Sequence, residues 1–223
     1  MFENLRKAID AHYNTKGEEF CEKLARVTVR EALNSWYFRD MMTPAAHEAA
    51  KNLNPDDILP ESITAKMVKR FVRKTEKERA ARLHKLEMAE NAELPTTCSV
   101  VVTWARSRTW GMNPTATVMA DYAYNQQTTG HASGCGYDKE SAAIADAINA
   151  NPAIMRILYE HAEAGKPFPY SVYVYAGLPY FDGGCGVSCF RNVFEACGYT
   201  WKDVSHTKTG DVYMLEKGVK RND

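Results

Sequence analysis

At Leu94-Pro95 the chain changes texture, and the patterns on its two sides call for different architectures. Upstream, apolar residues recur at helical intervals: Leu5, Ile9 and Tyr13 suit one short helix, and Phe20, Leu24, Val27, Leu33 and Trp36 a second. Thr43-Pro44 supplies an N-cap and a first-turn proline for a third. Asn54-Pro55-Asp56-Asp57 breaks the chain, and Ser62 then caps a long basic helix. Its apolar positions are Val68, Phe71, Val72, Leu83 and Leu86, a stripe interrupted by Thr75 and Arg79.

Downstream, Cys98, Val100, Val102 and Trp104 alternate as a half-buried strand does, and Thr115 to Tyr124 reads as a second strand after a turn over Ser107 to Pro114. Asp138 to Asn149 carries a helical face, and Asn151-Pro152 opens another helix. Tyr170 to Tyr175 is β-rich. Phe190, Val193, Phe194 and Cys197 form a helical stripe closed by Gly198, and Tyr199 to Val204 pairs with Val212 to Leu215 about Thr209-Gly210. The predicted fold class is therefore α+β: a helical region over 1–93, ending in the basic helix, then a small mixed β-sheet domain over 94–223 with helices packed on one face.

Charge balances at 28 basic against 28 acidic residues, so no global field recruits nucleic acid or membrane. The balance hides one asymmetry. Between Ala65 and Leu86 stand nine Lys or Arg against Glu76 and Glu78. No apolar run approaches the length of a membrane span, and the N-terminus does not read as a signal peptide, so a cytoplasmic protein without a membrane partner is expected. The six cysteines are spread through a chain with ample core and are read as reduced thiols.

Two Gly-Cys-Gly triplets each precede a helix-like run, where unpaired N–H groups favour an anion and glycine lets it approach. The first, with Ser133, Gly134, Gly136, Tyr137 and Lys139, offers amides, a hydroxyl, a cation and an aromatic face; turn geometry with Asp138 as the helix cap is the structural alternative. The second, with Gly184 and Gly186, places Cys185 and Cys189 near a helix start, where the dipole favours thiolate. A nucleophile there would need His131 or His206 as base. Cys135, Cys185, Cys189 and His131 are the soft ligands a metal would use. Only Cys185 and Cys189 form a close pair, so neither a metal nor another cofactor is expected. Finally, Arg106, Arg108 and Trp110 bring guanidinium groups and an indole to a turn, a combination that neutralises phosphate and stacks bases.

The segments Ser107-Arg108-Thr109-Trp110-Gly111-Met112-Asn113-Pro114 and Ser133-Gly134-Cys135-Gly136-Tyr137-Asp138-Lys139-Glu140-Ser141-Ala142-Ala143 resemble small proteins of phages and mobile elements of gut-type bacteria that have no assigned activity. The resemblance covers about residues 98–150. It implies candidates among nucleic-acid-binding accessory proteins and inhibitors of host defence that capture a nucleotide signal. The leading expectation is a non-catalytic protein that binds nucleotide or nucleic-acid phosphate through Arg106, Arg108, Trp110, the first glycine loop and Lys139. Its competitors are a cysteine-dependent enzyme using Cys189 or Cys185, and a module whose residues 1–93 grip another protein or a second copy.

Overall fold

A computed structural model of the chain describes residues 1–107, 111–120, 127–132, 139–184 and 186–218, with the backbone alone at 105–107, 111 and 112. Among the described residues are eight helices and seven strands, a helical N-terminal region followed by a sheet domain. They fall into two compact units, Lys7–His84 and Met1–Arg6 with Lys85–Asp223, whose divisions lie inside two helices.

In the unit Lys7–His84, Tyr13, Phe20 and Leu24 continue the buried stripe begun by Ile9. One helix, α1 (Glu3–Leu24), therefore stands where two were expected, with Gly17 inside it. A mid-helix glycine costs about 0.5–1 kcal/mol, less than the burial gained on either side of it. Three short helices follow: α2 (Val29–Asn34), α3 (Trp36–Met41) and α4 (Pro44–Lys51). A reciprocal capping box between Thr28 and Glu31 starts α2. As the sequence predicts, the Thr43 hydroxyl accepts the Ala46 N–H at 3.2 Å and Pro44 occupies the first turn of α4.

The long basic helix is α5 (Glu61–Asn91); it opens directly after Pro60, so Ser62 lies in its first turn and does not cap it. Within this unit its buried positions are Ile63, Met67, Phe71 and Thr75, one turn apart, and beyond His84, Leu86 and Ala89 are buried as well. Thr75 thus continues the stripe it was expected to interrupt, because its hydroxyl donates to the Phe71 carbonyl at 3.0 Å and hides its polarity inside the helix. Phe20 and Phe71 stack with centroids 3.9 Å apart and planes within 4° at the centre of a cluster that includes Leu24, Val29, Met41 and Ala46. Arg79 meets Asp10 at 2.7 Å and Lys16 meets Glu78 at 2.9 Å, which sets α1 and α5 antiparallel within this unit.

The other unit is built on a five-stranded sheet of order β3-β2-β1-β7-β6, from β1 (Thr97–Ser107), β2 (Gly111–Ala120), β3 (Gln127–His131), β6 (Tyr199–His206) and β7 (Gly210–Lys217). Every pairing in it is antiparallel. Cys98, Val100 and Val102 face the same side as Ala116, Val118, Tyr213, Leu215 and Trp201, and all are buried. That side carries the helices: α6 (Lys139–Ala150) lies on β2 and β3, and Phe190 and Phe194 of α8 (Val187–Ala196) stack on Trp201. At Gly130 an added Cβ would stand 2.3 Å from the Ala143 carbonyl oxygen, so β3 meets α6 backbone to backbone.

The turn expected over Ser107 to Pro114 is mostly strand. Ser107 pairs with Gly111, and Pro114 pairs with Trp104 inside the ladder. Trp104 points its N–H to the Thr209 carbonyl on the far side, and the β3 register stops at Thr115, so no ladder bond needs a donor from Pro114. The second strand runs over Gly111–Ala120, and residues 121–124 of its expected span lie outside the described residues.

Helix α7 (Pro152–Glu163) begins at its Asn151 cap as expected, and the β6–β7 hairpin closes through Thr207. The β-rich run is half of a separate hairpin, β4 (Val172–Tyr175) and β5 (Leu178–Phe181), turned by Ala176 and Gly177 at positive φ. The Glu163 carboxylate accepts the Asn4 and Leu5 N–H groups at 2.9 and 3.1 Å, which seats the first turn of α1 within this unit.

Candidate functional site

Of the residues expected to hold phosphate, Arg108, Trp110, Ser133, Gly134, Gly136 and Tyr137 lie outside the described residues, as does Cys185. Of Arg106 only the backbone is described, within β1. Lys139 is half-buried at the start of α6. Gly184 is exposed with open space where a side chain would project. Gly186 caps α8 at φ 78° and ψ 156°, a conformation that selects glycine, and its carbonyl accepts the Cys189 N–H at 3.1 Å. The second triplet therefore owes at least this glycine to the start of a helix.

The imidazoles stand at opposite edges of the sheet. His131 ends β3 with Nδ1 3.3 Å from the Thr115 hydroxyl, while His206 ends β6 with Nδ1 2.9 Å from Asp211 Oδ1. Trp104 Nε1 donates to the other Asp211 oxygen at 3.1 Å and fixes that carboxylate. Four interstrand spacings, about 19 Å, separate the two edges, so they do not share one thiol. Among the described residues neither imidazole bonds Cys189. Cys197, expected on the core stripe, caps the C-terminus of α8, and burial pushes its thiol up to about 12. Such a thiol is protonated and inert near neutrality.

The described structure draws attention elsewhere, to the outer face of α5 within the unit Lys7–His84. Eight of the nine cations over Ala65 to Leu86, all but Lys85, lie in this unit and divide into two groups. Arg70, Lys74, Arg79 and Arg82 are each held by a partner: Arg70 donates to the Met42 carbonyl at 3.0 Å, Lys74 to Asp40 at 2.9 Å, Arg79 to Asp10 at 2.8 Å, and Arg82 to the Tyr13 hydroxyl at 3.0 Å. Lys66, Lys69, Arg73 and Lys77 are exposed and follow one another at spacings of three, four and four. At 100° per residue that spacing gathers them on the face opposite Met67, Phe71 and Thr75. None of the four forms an ion pair among the described residues.

Beside this helix a cleft of about 560 Å³ is lined by Trp36, Arg39, Asp40, His47, Glu48 and Arg70, among others. Trp36, assigned to the core by its spacing, is 78% exposed. The reason is local: Trp36, Tyr37 and Phe38 are consecutive on a six-residue helix, and only Tyr37 and Phe38 pack on the core, at 5.9 and 6.3 Å from Phe20. Successive residues diverge by 100°, so the third ring turns outward. The two carboxylates in the cleft have their own cations. The Lys74 ammonium bonded to Asp40 holds that carboxyl below its usual range, and Lys51 at 2.7 Å does the same for Glu48. Arg39 and Arg70 form no ion pair among the described residues, which leaves the cleft positive.

In the sequence the basic helix is a run of charge that, with the Trp-Arg turn, makes a candidate nucleic-acid surface. The signal that separates its two groups is present in the spacing of Lys66, Lys69, Arg73 and Lys77; nothing in the sequence marks Trp36 as exposed. Among the described residues no helix is long and apolar enough to cross a membrane. The chain matches no protein-family model, and neither a curated protein nor a solved structure is similar to it.

Proposed function

We propose that the protein binds nucleic acid by its phosphates, as a binding protein and not a catalyst, and that the outer face of α5 is a principal contact surface. The observation that carries this reading is the set of four exposed cations on one helical face with no carboxylate partner among the described residues. At 1.5 Å per residue the face from Lys66 to Lys77 is about 16 Å long, enough to meet several phosphates of one strand. Such a row attracts a polyanion by releasing its counterions, which makes binding steeply dependent on salt. Arg106, Arg108, Trp110 and the first glycine loop belong to the same proposal as a second contact zone.

The test is fluorescence anisotropy with a labelled oligonucleotide over a salt series. Replacing Lys66, Lys69, Arg73 and Lys77 together by Glu is expected to weaken binding on the order of a hundredfold and to reduce the log–log salt slope by about 3, at roughly 0.7 per lost phosphate contact on a single strand. A charge-reversed protein that keeps its circular dichroism and binds like the parent overturns the proposal, and so does a parent that fails to bind.

A further inference from the structure

We infer that the cleft beside Trp36 seats an unpaired base of the strand whose phosphates meet α5, so that the ligand class is single-stranded nucleic acid. The inference rests on the phosphate-binding reading and adds a specificity to it. Three observations within the unit Lys7–His84 meet here. Trp36 offers an indole face, 78% exposed, at the rim of a concave space of about 560 Å³, a volume in the range of small-ligand clefts. The arginines of that space, Arg39 and Arg70, form no ion pair among the described residues, although the Arg70 charge also acts on Asp40, while Asp40 and Glu48 are bonded by Lys74 and Lys51. Arg70 also joins the cleft to the cationic face, because it stands one helical turn from Lys66 and Arg73 on α5 and two turns from Lys77.

The chemistry of these groups selects the ligand. An exposed indole next to guanidinium groups stacks any base by its π-face and tolerates sequence change. A duplex hides those faces inside its own stack, so it meets the cations of α5 and gains nothing from Trp36. A single strand gains from both. The phosphate flanking the seated base falls to Arg39 and Arg70, and the next phosphates along the strand to Lys66 and Arg73. His47 lies in the same cleft with its Nδ1 3.7 Å from Glu48 Oε1, and its ring adds a polar edge for a base to meet.

The experiment compares three labelled probes on the full chain by anisotropy: a short oligothymidylate, the same strand made abasic, and a duplex of equal length. The parent is expected to hold oligothymidylate about tenfold more tightly than the abasic strand. Trp36→Ala is expected to erase that difference while leaving duplex and abasic binding unchanged, and Trp36→Tyr to restore most of it. Because Trp36 is exposed, the variant retains the fold, which circular dichroism checks. If Trp36→Ala keeps the preference for bases over the abasic strand, the cleft is not the seat and this inference falls, while phosphate binding by α5 stands. If none of the probes binds the parent, both readings fall, since no nucleic-acid surface remains to specialise.

Discussion

The outer side of α5 and the β4–β5 hairpin both expose large aromatic or cationic side chains to water, yet their surroundings differ in kind. Around Trp36 the neighbours are Arg39, Asp40, His47, Glu48 and Arg70, so the ring sits in a field of charge. From Phe168 to Phe181 there is no charged residue at all, and Tyr170, Tyr173 and Tyr175 are 90%, 39% and 50% exposed. An exposed ring is therefore not one signal. Beside cations it suits a base with its phosphate; in a neutral run of Tyr, Ser and Gly it has the composition of protein-recognition surfaces. Salt separates the two, because only the first surface works through counterions.

The comparison fails most completely if α5 loses its seat. Phe71→Ala, which removes one ring of the stacked pair with Phe20, is expected to cost about 3–5 kcal/mol in chemical denaturation and to abolish oligonucleotide binding along with the helix. Next in size is the charge reversal on the opposite face of the same helix, on the order of a hundredfold in affinity with little change in stability. Trp36→Ala follows at about tenfold, confined to single strands. Replacing Tyr170 and Tyr175 by Ser is expected to change nucleic-acid affinity by less than about threefold at any salt concentration; a larger loss would make the hairpin part of the same surface.

A separate effect, outside the comparison of the two surfaces, concerns pH. The Cys197 thiol ordinarily titrates near 9.0 and is raised to about 12 by burial. The unfolded chain then loses this proton first as pH rises, so the contribution is intact below about 9 and disappears as pH climbs toward 12. Urea midpoints of the parent and Cys197→Ala should converge across that interval. Parallel curves would show that Cys197 does not report the fold.

Much of this architecture was legible because its signals are local. The Thr43-Pro44 and Asn151-Pro152 starts, the Phe190 to Phe194 stripe and the β6–β7 hairpin each follow from side chains within one turn or one strand of their partners. What escaped depends on distant neighbours. Gly17 breaks nothing because burial on both sides of it holds α1 straight through, and Thr75 joins a core stripe by bonding its own helix. Pro114 is tolerated in β2 because β3 ends one residue short of it. Trp36 faces out because two adjacent rings fill the space first. For the site, the nine cations were visible as composition, but which of them are held by Asp40, Met42, Tyr13 or Asp10 is a property of packed helices.

The bond from Glu163 to the amides of Asn4 and Leu5 spans 159 and 158 positions of sequence. On a ribosome, those first donors emerge long before their acceptor is synthesised, and they stay hydrated until α7 arrives. Lys7–His84, contiguous in the chain, carries its own apolar cluster and need not wait. Synthesis order thus gives the helical unit a head start, while the sheet unit closes around Asn4 and Leu5 only once α7 has been made.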